Sequence, residues 1–98
     1  MEKFSATIVY EAVPARHSVF RGKIISWKWA LNRLRERFGA KNDLGLFCRA
    51  YALQHGNSCA RTHAARARIR QDYRTYAEGG EVSFHVLYAA VNWFKKTT

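Results

Sequence analysis

Cysteine is nearly absent from this sequence: Cys48 and Cys59 are the only two in 98 residues. A small secreted domain usually carries several cysteines as a disulfide framework. Two scattered ones argue against that class, so both read as reduced thiols in a cytosolic protein. Long apolar runs are missing too, and none approaches the ~18 residues of a transmembrane helix. Met1–Tyr10 has neither the apolar core nor the cleavage site of a signal peptide. The expectation is a cytoplasmic protein with no membrane partner. Catalytic signatures are lacking as well. There is no G-x-S-x-G nucleophile turn, no phosphate-binding P-loop and no H-E-x-x-H. The chain is therefore expected not to be an enzyme and to need no cofactor.

Acid is the other scarce quantity. Seven Asp and Glu stand against 17 Lys and Arg, a net charge of +10. Arg outnumbers Lys eleven to six, and its planar fork of donors fits phosphate and carboxylate and stacks on rings. Such a surplus attracts polyanions: nucleic acid, an acidic membrane surface or an acidic patch on another protein. At 14% aromatic and 48% hydrophobic residues the chain is too apolar for a disordered tail. Its length allows one domain, residues 1–98, with a modest core.

Lys3–Glu11 alternates Phe4, Ala6, Ile8 and Tyr10 with Ser5, Thr7, Val9 and Glu11, the period of a strand. Pro14 breaks it. His17–Ile25 reads as a second strand pairing with the first, with Gly22 weakening it or marking a bulge, the alternative being that the segment begins a helix. From Ser26 the period changes. Ser26 caps a helix whose stripe is Trp27, Ala30, Leu31, Leu34 and Phe38, and Gly39 stops it. Asn42 or Asp43 caps the next, with Leu44, Phe47, Ala50 and Tyr51 inward and Gly56 at its end. Ser58 then caps a long third helix to about Glu78, before Gly79-Gly80. Glu81–Phe94 is a last helix, apolar nearly all round, which suits a core or a partner surface, a second copy included. The fold class is α+β, mostly α: a β-hairpin region over 1–25, then about four helices over 26–98, including a helix-turn-helix-like hairpin.

The third helix carries the sharpest signal. Ala65, Ile69, Tyr73 and Tyr76, with Thr62, gather on one arc at 100° per residue. Arg66, Arg70 and Arg74 form one flank with His63 nearby, while Arg68 can pair with Asp72 at i+4. Successive arginines in the row rise by about 6 Å, a spacing that meets successive phosphates or a line of carboxylates. A charged helix face is more often simply solvated, and the charge of the whole chain brings a binding face level with that reading. Trp29 falls off the apolar arc of its helix, and an exposed Trp beside Arg is a typical interface anchor or stacking platform.

Three other patterns compete. Ala52 and Gly56 have the spacing of a helix-turn-helix, after which Asn57, Ser58 and Arg61 would meet DNA. Against it, His55 fills the apolar place before the glycine and Thr62 the aliphatic one. His55, Cys59 and His63 with Cys48 upstream can be imagined as zinc ligands, but Gly56 breaks the helix between them and no paired C-x-x-C is present. His17 and His63 beside arginines would suffice for a small ribonuclease, yet no spacing singles them out.

A 98-residue chain with the Lys3–Glu11 strand, the basic Arg16–Arg37 stretch and the Arg61–Arg74 helix resembles small phage accessory proteins, the anti-RecBCD protein 2 family of lambdoid phages above all. The resemblance spans the chain and assigns no residue a role. It implies a non-enzymatic protein that binds the RecC subunit of the host RecBCD helicase–nuclease in the host cytoplasm. Binding would redirect that enzyme in favour of phage recombination. On this reading the contact surface includes Arg61, Arg66, Arg70 and Arg74, with Trp29 as anchor.

Overall fold

The computed structural model describes residues 13–39 and 42–97, with side chains as far as Asn92. The expected strand Lys3–Glu11 lies outside the described residues. A two-stranded antiparallel hairpin, β1 (His17–Phe20) and β2 (Lys23–Ser26), leads into helices α1 (Trp27–Phe38), α2 (Asp43–His55), α3 (Asn57–Ala60), α4 (His63–Ala77) and α5 (Phe84–Thr97). The class is α+β and mostly helical, as the change of period indicates.

The hairpin corrects one expectation. His17–Ile25 is not a single strand but folds back on itself, pairing His17 with Ser26 and Phe20 with Lys23. Two residues make the turn, Arg21 at φ 53° and Gly22 at φ 78°. Positive φ at both centres is the geometry whose twist matches a hairpin. Glycine takes it freely, whereas arginine is strained there. Tertiary contacts hold Arg21 in place: its guanidinium donates to Asn92 Oδ1 at 2.9 Å and lies over the rings of Phe20 and Tyr88. Alternation then works within each short strand. Ser18, Phe20 and Ile25 face inward, while Val19 and Ile24, a cross-strand pair, are each 45% exposed.

Ser26 caps α1 by accepting from the Trp29 N–H, and Gly39 closes it at φ 65° with its N–H on the Arg35 carbonyl. The hairpin is tied to this helix twice, through the Trp27 N–H on the Arg16 carbonyl at 3.0 Å and the Trp27 indole N–H on Ser18 Oγ at 2.8 Å. Of the two candidate caps for α2 it is Asn42 that acts, its Oδ1 accepting from Gly45 N–H at 2.8 Å.

The expected third helix is divided. Asn57–Ala60 forms one helical turn without a side-chain cap, and Ser58 does not start the long helix. Thr62 does, its hydroxyl accepting from the Ala65 N–H at 3.2 Å and donating to the Cys59 carbonyl at 2.8 Å. A threonine offering the backbone these local bonds competes with continuation of the helix, and it lies exposed instead of on the inward arc. The last helix begins at Phe84, later than the pattern suggests. Val82 is buried ahead of it, and Ser83 Oγ accepts from the His85 N–H.

Helix α5 is the centre of the core. Val86, Leu87, Ala89 and Ala90 are buried, and α5 packs on both α1 and α2. These four side chains are thus used within the chain, while Phe84 at the start of the helix stays 54% exposed. Trp27, Leu31 and Leu34 of α1 and Leu46, Phe47 and Ala50 of α2 complete the cluster. Helix α4 packs mainly on α2, through Ala65, Ile69 and the edge-on contact of Tyr73 with Phe47. One stripe of α4 is therefore held, Asp72 beside it accepts from Ser83 Oγ at 3.4 Å, and the flank with Arg66, Arg70 and Arg74 is left to solvent.

Candidate functional site

The arginine row lies on the solvent flank of α4. Arg66, Arg70 and Arg74 are exposed and share a shallow surface with His63. Next to it a groove runs between α2 and α4. Arg49, Arg61, Arg66 and Asn57 line it at one end, Arg66 and Arg70 at the other, with Cys48 and Ile69 common to both. Helix geometry explains the placement. Arg66 sits on α4 just beside the arc that α2 covers, and Arg70 and Arg74 turn progressively outward, 40° for each step of four. Among the described residues, the ion pairs are Arg33–Glu36, Arg35–Asp43 and Arg68–Asp72, and none involves an arginine of this face. Glu36, Asp43 and Asp72 are thus paired away from this face, Arg68 taking Asp72 as i,i+4 spacing predicts.

Sequence reasoning missed Arg49. It belongs to a helix read only for its apolar stripe, and its meeting with Arg61 depends on how α2 and α4 pack. Asn57 reaches the groove from the one-turn helix α3. Ser58 is exposed, does not line the groove, and uses its carbonyl to accept from the Arg61 N–H. The connection between α2 and α4 spans residues 56–62 and includes a helical turn, longer than the tight turn of a DNA-reading unit. Gly56 does receive the helix end as the Ala52-to-Gly56 spacing suggests, its N–H on the Ala52 carbonyl at 2.7 Å.

Trp29 is exposed, as its place off the apolar arc requires, but it does not join the arginine face. It lines a separate apolar hollow with Ile24 and Ile25 of the hairpin and Val91 of α5, with the Arg33 guanidinium over its ring at 5.7 Å. A third concavity, with Arg16, Lys28, Asp43 and Tyr76, lies between the hairpin, α1 and the end of α4. Burial pushes the Tyr76 hydroxyl above its ordinary pKa, and the nearby Asp43 carboxylate adds to the rise.

The histidines separate. His17 opens β1 with Nδ1 at 2.9 Å from the Ala15 carbonyl, and His63 stands beside the arginine row, so the two line different surfaces. Cys48 and Cys59 are free and exposed. Among the described residues no group of three or more His, Cys, Asp or Glu could hold a metal ion, so His55, Cys59, His63 and Cys48 form no ligand set. His55 meets His85 instead, ring centroids 5.0 Å apart, with Tyr51 against both and Gln54 Oε1 hydrogen-bonded to His85 Nδ1. Burial lowers the pKa of His85, and His55 lowers it further. No helix among the described residues is long and apolar enough to cross a membrane. No family model, curated protein or solved structure matches this chain.

Proposed function

We propose that this chain is a non-catalytic, phage-type accessory protein that docks through its arginine face on an acidic surface of a nucleic-acid-processing enzyme and modulates that enzyme. The observation that carries the reading is the gathering of Arg49, Arg61, Arg66, Arg70 and Arg74 along one face that, among the described residues, no Asp or Glu lines. Arginines gathered on one face repel one another and attract anions, so an acidic partner surface relieves that repulsion on docking. The RecC subunit of RecBCD is the candidate partner, on the resemblance in length, charge and basic helix. The proposed compartment is the host cytoplasm. Trp29 belongs to another surface and drops out of the proposed contact.

The second reading is a helix-turn-helix DNA binder, favoured by Asn57 and Arg61 lying in one groove. A pull-down with tagged protein from bacterial lysate, run with and without nuclease, separates the two. A discrete enzyme retained after nuclease, and lost with Arg61→Ala/Arg66→Ala/Arg70→Ala/Arg74→Ala, supports the docking protein. Retention that vanishes with nuclease moves the DNA reading ahead.

A further inference from the structure

The groove between α2 and α4 offers more than charge. Its floor is apolar, built on Ile69, Ala52 and Leu44 with the Cys48 thiol between them. Small side chains along α2, at Gly45, Cys48 and Ala52, leave it unfilled. The result is a slot of about 330 Å³ that continues, through Cys48, Arg66 and Ile69, into a second of about 200 Å³. That is the small end of the ~300–1,000 Å³ of sites that enclose a ligand, so it suits a side chain or two and not a cofactor. Guanidinium groups rim it from both helices, Arg49 from α2, Arg66 and Arg70 from α4, with Arg61 at the connection.

A nucleic-acid backbone would use the rim alone. It has nothing to place on an apolar floor, and among the described residues no aromatic ring lines the groove for a base to stack on. A peptide carrying an apolar side chain between carboxylates uses both. The apolar group displaces water from the floor, and each carboxylate takes paired hydrogen bonds from a guanidinium, a geometry arginine provides and lysine does not.

We propose that the α2/α4 groove is a docking slot for an acidic segment of a partner protein, one that seats a large apolar side chain over Ile69 and Ala52 and sets carboxylates against Arg49, Arg61, Arg66 and Arg70. This rests on the docking function proposed above and names the chemistry that the face receives. The four cations supply the register, and the floor supplies the selectivity for an apolar residue between acids.

The test is to pan a display library of random short peptides against the full chain at physiological salt, then measure the synthesised winners by fluorescence anisotropy. Two variants accompany it, Arg66→Ala/Arg70→Ala on the rim and Cys48→Gln on the floor. All three positions are exposed and Ala and Gln are good helix formers, and circular dichroism checks that each variant folds. The expected winners share one large apolar residue flanked by Asp or Glu, and each variant weakens them by roughly tenfold or more, the scale of a lost apolar or charged anchor. Acidic winners with no fixed apolar position, or binding that Cys48→Gln leaves unchanged, overturn the slot while leaving a charge-only docking face intact. Binding that survives Arg66→Ala/Arg70→Ala overturns the docking function itself. Panning that enriches no such peptide, or oligonucleotides that bind the groove more tightly than the best peptide, also overturns the slot.

Discussion

Replacing Ser18 by Ala should cost far more than the loss of one hydroxyl suggests. Ser18 is 4% exposed and Trp27 5% exposed, and the indole N–H donates to Ser18 Oγ at 2.8 Å. Removing the acceptor leaves a buried donor without that partner, a penalty of about 1–3 kcal/mol. A domain of this size is stable by roughly 5–15 kcal/mol, with small ones at the low end, and each kcal/mol moves its melting temperature by about 4–8 °C. Ser18→Ala should therefore lower the melting temperature by several degrees at least. Trp27→Phe should cost more still. It removes the donor and also the ring area that Tyr76 meets edge-on at 5.8 Å and Arg16 covers at 5.7 Å. Urea denaturation of both single variants and the double variant closes a cycle. The reasoning requires a coupling energy between about 0.5 and 3 kcal/mol and an unchanged m-value, because the same surface unfolds. A cycle that adds without coupling, or a Ser18→Ala variant as stable as the parent, would show that the hairpin is not held to α1 through this bond.

Three further outcomes follow from the geometry. Gly80→Ala should destabilise by about 1–3 kcal/mol, because the new Cβ would stand 2.8 Å from Thr75 Cγ2 and 2.9 Å from the Thr75 carbonyl oxygen; thermal melts check it, and an unchanged melt refutes the close approach. Arg66→Ala/Arg70→Ala/Arg74→Ala should leave stability within about 0.5 kcal/mol per site, as surface changes without partners do, while abolishing partner retention in the pull-down. His85 has a folded pKa below its ordinary 6.5, through burial and then the neighbouring His55. The unfolded chain thus binds the proton more tightly, so the contribution of His85 is fully present above pH ~6.5, declines as pH falls toward the folded value, and is flat below it. Denaturation midpoints taken across that window should fall with acid in the parent and fall less in His85→Gln.

Much of the helical layer was legible because local chemistry and long-range packing agree there. Ser26 and Gly39 bracket α1, and Asn42 and Gly56 bracket α2, by bonds a residue makes within a few positions of itself. Where they disagree, the sequence misleads. His17–Ile25 looks like one strand because nothing local marks Arg21 as a residue at positive φ; Asn92 and Tyr88, about seventy residues away in the chain, hold it there. Thr62 looks like part of an inward arc because period alone cannot tell an arc residue from a cap, and its hydroxyl decides the matter. Leu46, fully buried, escaped the α2 stripe because that helix is apolar on more than one side.

Residue order alone specifies the α+β class, the caps Ser26, Gly39 and Gly56, a start of α2 at Asn42 or Asp43, and the row Arg66–Arg70–Arg74, since each rests on local period or on one turn of backbone. The tertiary structure decided which cations share a surface. It brought Arg49 and Arg61 to that row, sent Trp29 to a different hollow, kept His17 from His63, and set an apolar floor between the arginines of two helices. The physical reason is that a groove belongs to the space between elements. Its width and lining come from how α2 and α4 pack, and no period in either segment encodes that.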